Sequence, residues 1–229
     1  MHVWCIMDWN RRWAKEHFQP TILWHKAWFD NARKIIELSV KSQVIDCLTL
    51  WALSKENLQE REQEELKWII KMINKLEVLL PDLQANNIKF DTVWDIGKLP
   101  EESQQILAWI KDKTSLNTWM DLVAALVYSW QDEIVRATRK ILNDGISSDD
   151  LNEEKFRQYT DFWKFPVMDL IIRTWIHNWT ESKRHSWFDL YDSAYAEYYF
   201  THTLWPDLSK DEFFSAIDQF YKTKRTKWK

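Results

Sequence analysis

Met1-His-Val-Trp-Cys-Ile-Met-Asp-Trp-Asn-Arg-Arg-Trp-Ala-Lys15 opens the chain and decides how the rest is read. Its apolar run from Val3 to Met7 has the length and continuity of a strand buried on both faces, as in a parallel sheet. The run stops at Asp8, and Asn10, Arg11, Arg12 and Lys15 follow. A carboxylate and a group of cations therefore stand at one strand's end. In open α/β sheets ligands bind outside the carboxyl ends of strands, so their position is as informative as their type. Asp8 suits a hard cation such as Mg²⁺, and the arginines suit the phosphates such an ion accompanies. Taken alone, Asp8 fits an ion pair with Arg12 equally well.

Outward from this stretch the chain alternates strand and helix. A helix is expected from Trp24 to Ser39, with Ala27, Phe29, Ala32, Ile35, Ile36 and Val40 on one face. A second strand runs from Leu48 to Leu53, and Ser54 and Asn57 follow it. A strongly amphipathic helix spans Glu62 to Leu80 and is expected to stop at Pro81. Further strands are read at Asn87–Val93, Thr118–Val127, Asp169–Arg173 and Tyr198–Thr201. Between and after them, helices are read at Pro100–Lys113, Asp132–Leu142, Asn152–Tyr159 and Lys210–Lys224. The expected fold is α/β: a single domain over residues 1–229, with a mostly parallel six-stranded sheet flanked by helices on both faces.

Composition narrows the function. A net charge of −4 argues against a general nucleic-acid binder. Cys5 and Cys47 lie inside apolar runs and read as buried free thiols in a reducing compartment. No signal-peptide pattern opens the chain and no apolar run reaches the ~18 residues of a membrane helix, so a cytoplasmic protein is expected. Phosphate loops of the G-x-x-x-x-G-K-[ST] kind and G-x-G-x-x-G fingerprints are absent, which disfavours ordinary nucleotide chemistry. Ser147 to Glu154 is acidic, but it immediately precedes a helix and reads as a solvated cap. Asp8, Ser54, Asn57 and Arg173 instead leave the ends of different strands and are expected to converge on an anionic ligand.

The opening stretch also resembles the first motif of the cis-prenyltransferases, the undecaprenyl diphosphate synthase type of isoprenyl transferase. That motif reads roughly H-V-x-x-I-M-D-G-N-x-R-W-A. His2, Val3, Ile6, Met7, Asp8, Asn10, Arg12, Trp13 and Ala14 match it, and Trp9 stands at its glycine. Trp24-His-Lys-Ala-Trp28 is similar to the family's G-H-K-x-G, and Leu50 to Asn57 to its second motif. Asp169-Leu-Ile-Ile-Arg-Thr174 resembles D-L-x-I-R-T, and Arg184-His-Ser186-Trp-Phe188 resembles R-x-S-x-F. Tyr195 to Phe200 and Leu204-Trp-Pro-Asp207 are similar to the closing Y-A-E-x-Y-F and L-W-P-D.

The resemblance implies condensation of isopentenyl diphosphate with an allylic diphosphate, farnesyl diphosphate being the expected starter and a bacterial undecaprenyl lipid carrier the expected product. It implies catalytic roles for Asp8 and Asn10. It places allylic diphosphate on Trp9, Asn10, Arg11, Arg12, Trp13, His25, Ser54, Asn57 and Arg61, and isopentenyl diphosphate on Arg173, Arg184 and Ser186. Mg²⁺ falls to Asp8 and Glu197, and the expected assembly is a homodimer that touches membranes only peripherally, through its lipid product. Without the resemblance, His25 reads as readily as a helix cap. The helix over 62–80 and Leu53, Leu122, Ala124 and Leu126 are either walls of a channel for the growing chain or plain core. The alternative function is a catalytically silent family member that supports an active partner subunit. Silent members typically lack the first-motif aspartate and the arginines, and this chain has them.

The chain departs from the family in several places. Thr21 stands where an arginine is common, and Arg61 falls one residue late. Ile176 to Ser182 is an insertion before Arg184. Val127 and Ser129-Trp-Gln131 replace an asparagine and a Gly-Gly-Arg. The chain also carries 17 Trp and 2 Gly, against ordinary glycine usage of about 7%. Trp4, Trp9, Trp24, Trp28, Trp94, Trp119, Trp130, Trp163, Trp175 and Trp187 stand where the family has or accepts glycine. The expectation is a gene in which UGA means glycine, read here as tryptophan. As written, the chain is expected to keep the fold and to turn over poorly.

Overall fold

The computed structural model describes residues 1–7, 11–20, 23–55, 58, 63–93, 95–174 and 191–224, without the side chains of Arg11, Arg12 and Glu65. Six strands form one sheet: β1 (His2–Ile6), β2 (Cys47–Ser54), β3 (Ile88–Val93), β4 (Met120–Tyr128), β5 (Leu170–Arg173) and β6 (Glu197–Phe200). Their spatial order is β3-β4-β2-β1-β5-β6, and every pairing is parallel. β1 is thus central, as its unbroken apolar run requires: all five of its residues are buried.

The helices are α1 (Arg11–Glu16), α2 (Leu23–Ser42), α3 (Gln63–Asn74), α4 (Leu80–Ala85), α5 (Glu101–Lys113), α6 (Trp130–Asn143), α7 (Glu153–Arg157) and α8 (Lys210–Lys222). Two of them depart from the sequence reading. α1 was not expected, because its six residues are too few to show a period. The helix expected to end at Pro81 instead leaves α3 through a 3-10 turn at Lys75–Leu79, and Pro81 sits in the first turn of α4. Proline lacks only a donor that a first turn leaves unused, so it opens a helix as readily as it closes one. Other boundaries shift by a few residues, within the fraying of helix and strand ends.

Strand alternation gives the sheet two unlike faces. On one, Trp4 packs against Phe162 at 4.7 Å and Tyr128 at 6.0 Å between ring centres, and Phe165 extends the cluster. His2 shares this face: its Nδ1 donates to the Pro166 carbonyl and its Nε2 accepts from the Thr49 hydroxyl, each at 2.8 Å. Burial drives its pKa down to about 4, so the ring is neutral. On the other face, Met7 of the chain's first run looks toward α2 and α3 across an apolar cavity.

Candidate active site

The strands' carboxyl ends carry irregular backbone where β2 meets β4. The register slips between Trp51 and Leu53 and again before Ser54, so Ser54 faces Tyr128 and Val127 has no rung. Val127 adopts φ +58°, a left-handed conformation in which a β-branched side chain is strained. Asparagine tolerates that conformation far better. Backbone strain of this kind gathers at functional sites.

Ser54, buried, ends β2. Arg173 ends β5 and lies level with Ile6 of β1 and Phe200 of β6. Next to it, the Thr174 hydroxyl donates to the Ile6 carbonyl at 3.3 Å, closing the gap between the two strand ends. The parallel sheet therefore brings Ser54 and Arg173 to one edge, the edge from which the chain leaves β1 toward Asp8. Glu197 is not brought there: it pairs with Leu170, three rungs from Arg173 and so about 10 Å along the strand. Asp8, Trp9, Asn10, Asn57, Arg61, Arg184 and Ser186 lie outside the described residues, as do the side chains of Arg11 and Arg12.

His25 sits in the first turn of α2, 6% exposed, its ring stacked 3.7 Å from that of Trp24 and 5.6 Å from that of Trp68. Trp24 thus covers the ring that the resemblance assigns to a diphosphate. Trp13 is engaged within the fold, where its Nε1 donates to the Asp207 carboxylate at 2.8 Å and its ring stacks on His17 at 4.5 Å. The Leu204–Asp207 turn is in turn fastened to α2. Trp205 Nε1 donates to the Trp28 carbonyl at 3.1 Å, and Asn31 Nδ2 donates to the Trp205 carbonyl at 2.5 Å. Asp169 accepts from the His2 amide at 2.9 Å, tying β5 to β1.

Directly beneath the strand ends lies the cavity, about 600 Å³ including the part open to solvent. It lies between α2, α3 and the sheet, and its lining is apolar throughout. Leu122, Ala124 and Leu126 are walls, as the channel reading expected, and Ile69, Ile73 and Leu76 come from the amphipathic helix region. Leu53 is buried in the core instead and does not line it. Trp28, Ala32 and Ile36 complete the α2 wall. The sequence reading missed Trp28 as a liner, although its four-residue spacing to Ala32 and Ile36 was a usable signal.

Nearby titratable groups are satisfied internally. Glu133, 3% exposed, accepts from the Tyr128 hydroxyl and from the Asp161 amide, and burial pushes its pKa up to about 7. Asp132 is paired with Lys55 and Arg136, which hold its carboxyl below its usual range against the opposing effect of burial. Cys5 and Cys47 are buried and free, as expected, and burial pushes both thiols upward. Ser147 and Asp150 close a turn at 2.6 Å and Asn152 caps α7, so the acidic stretch acts as local structure. Among the described residues no three His, Cys, Asp or Glu side chains are grouped to hold a metal ion. None of the described helices is long and apolar enough to cross a membrane.

A parallel α/β sheet with Arg173, Ser54 and the strained Val127 at its strand ends, above an apolar cavity, combines a polar end with an apolar interior. Comparison with known proteins gives that arrangement its family. Residues 6–227 match the family described as "Putative undecaprenyl diphosphate synthase". An isoprenyl transferase of Treponema denticola is 35% identical, covering 98% of this chain and 95% of that protein. A ditrans,polycis-undecaprenyl-diphosphate synthase ((2E,6E)-farnesyl-diphosphate specific) of Photorhabdus laumondii is 34% identical, covering 98% and 87%. Among solved structures, lavandulyl diphosphate synthase from Lavandula x intermedia in complex with dimethylallyl diphosphate superposes with a TM-score of 0.89 at 26% identity, covering 98% of this chain and 96% of that one. The chain belongs to the cis-prenyltransferase family, and its activity is the synthesis of a cis-polyprenyl diphosphate.

Proposed function

We propose that the protein condenses isopentenyl diphosphate with farnesyl diphosphate, extending it to a long cis-polyprenyl diphosphate of the undecaprenyl kind used as a bacterial cell-wall lipid carrier. The observation that carries this reading is the apolar cavity opening at the level of Met7, the residue before Asp8. Its enclosed space is about 50 Å³ in the chain as written, and its wholly apolar lining offers a hydrocarbon tail no polar competitor.

Cleavage of the allylic carbon–oxygen bond leaves positive charge on carbon and negative charge on the departing diphosphate. The isopentenyl double bond attacks that carbon, a proton is lost, and the new double bond forms. Arg11, Arg12, His25, Asn57 and Arg61 would hold the allylic diphosphate, helped by Trp9, Trp13, Ser54 and the first turn of α2. Arg173, Arg184 and Ser186 would hold isopentenyl diphosphate, and Asn10 would assist the departing proton. The described residues do not by themselves form a magnesium site. Support for Mg²⁺ at Asp8 comes from chemistry: a carboxylate together with a substrate's diphosphate oxygens would supply the hard ligands this ion prefers. Glu197, three rungs from Arg173, would join that site from a second chain. β6 is an edge strand, and two-fold antiparallel pairing there would carry Glu197 toward the partner's strand ends, which favours a homodimer. A cytoplasmic enzyme that meets membranes through its product completes the reading.

The ten tryptophans belong to the same reading as glycine positions. The Trp24 ring stacked on His25 at 3.7 Å supports this reading, since an indole there would hinder a donor to the allylic diphosphate. UGG codons at the ten positions would overturn this part. The test of function is to incubate the glycine-restored protein with farnesyl diphosphate, radiolabelled isopentenyl diphosphate and Mg²⁺, with Asp8→Ala alongside. Long product that falls by at least ~10²-fold in Asp8→Ala is expected, the loss typical of removing one transition-state contact. A well-folded protein that makes none would transfer support to the silent-subunit alternative.

A further inference from the structure

We propose that Trp28 is a gate: in the chain as written its indole closes the mouth of the apolar cavity and keeps long isoprenoid tails out. This rests on the prenyl-transfer reading and adds the residue that decides what the cavity admits.

Trp28, Ala32 and Ile36 form one stripe along α2, and all three line the cavity. Of the three, Trp28 is closest to the start of α2. A helix following a parallel strand starts at the strand's carboxyl end, so Trp28 stands at the level where Met7 lines the opposite side. Ala52 of β2, one residue past the Ile6–Trp51 pair, is level with Met7, and Ala32 lies one turn further along α2. The widest side chain of the lining thus faces one of its smallest at that level, and the enclosed space left beside it is about 50 Å³, too little for an isoprenoid tail. The indole is also held in place. It is 7% exposed, its ring lies 6.5 Å from that of Trp205, and its own carbonyl accepts the Trp205 Nε1 bond. Swinging outward would require displacing Trp205, itself fully buried. A tail descending from the strand ends therefore meets an indole fixed across its path, and glycine at position 28 would leave the entrance open.

The test uses radiolabelled farnesol in equilibrium dialysis against the full chain. Farnesol is uncharged, so its binding reports the cavity and is independent of the diphosphate contacts and of turnover. Trp28→Ala is expected to bind farnesol at least tenfold more tightly than the parent, and Trp28→Leu to fall between them. Trp119→Ala, at a side chain 48% exposed just before β4, is expected to match the parent. Circular dichroism establishes that each variant is folded, and if Trp28→Ala is not, Trp28→Leu decides. Equal binding by the parent and the folded Trp28 variants would overturn the gate and leave the prenyl cavity standing. No binding by any folded variant would overturn the gate together with the cavity's role.

Discussion

The two faces of the sheet are built to opposite ends. Behind Trp4, aromatic rings from β1, β4 and the segment after α7 meet edge and face, and ion pairs seal the perimeter. Asp91, buried, takes Lys111 at 2.8 Å and also Lys164, and Arg136 joins Asp161 at 3.0 Å. In front of Met7 the same sheet borders on empty space with hardly a polar atom around it. Close packing is the norm for interiors, and this face keeps about 50 Å³ of enclosed space that the filled face does not. Stability resides in the filled face, and the hollow face is reserved for a ligand.

That division predicts unequal responses to substitution. Phe162→Ala, in the filled face, should lose about 3–5 kcal/mol in denaturant unfolding; a loss below ~1 kcal/mol would mean the cluster is not where stability lies. Glu133→Gln should act through pH. Folded Glu133 has a pKa of about 7, above its ordinary 4.5, so the native state binds the extra proton between these values. Its stabilising contribution is present below pH ~4.5 and is lost as pH rises through ~7, on the order of 1–3 kcal/mol. His2 titrates in the opposite sense, its contribution being present above its ordinary 6.5 and lost as pH falls through about 4. Glu133→Gln should therefore remove only the decline between pH 5 and 7, read from unfolding curves across that range. An unchanged profile would show that Glu133 titrates normally. Smallest in stability is Ala124→Leu on the hollow face, where the added carbons border the free space and the cost should stay at the low end of small-to-large changes, about 1 kcal/mol. In a Trp28→Ala background the same change should weaken farnesol binding, and unaltered binding would separate Ala124 from the tail's path.

Much of the fold was legible because its signals are local. An unbroken apolar run marks a central parallel strand, and six such runs separated by amphipathic helices leave few arrangements other than a covered parallel sheet. Legibility failed where a signal is short or ambiguous: α1 is less than two turns long, and Pro81 carries the same chemistry whether it ends a helix or begins one. The site divides in the same way. Ser54 and Arg173 were readable as strand-end residues, and parallel pairing puts them on one edge. Glu197 looked like a companion to Asp8, but only the register shows it at the other end of β5 and β6.

By itself, then, the sequence determined the order of strands and helices, the family and the residue types at the strand ends, because these follow from period, charge and motif along the chain. Tertiary structure decided which apolar residues are wall and which are core. Leu53 and Leu126 look alike in sequence, yet only Leu126 borders the cavity. It also decided that Trp24 covers His25 and that Trp205 braces Trp28, contacts that only the folded chain brings together. The physical reason is that packing depends on what stands opposite a side chain, and residues 28 and 205 become neighbours only when α2 and the Leu204–Asp207 turn close on the same side of the sheet.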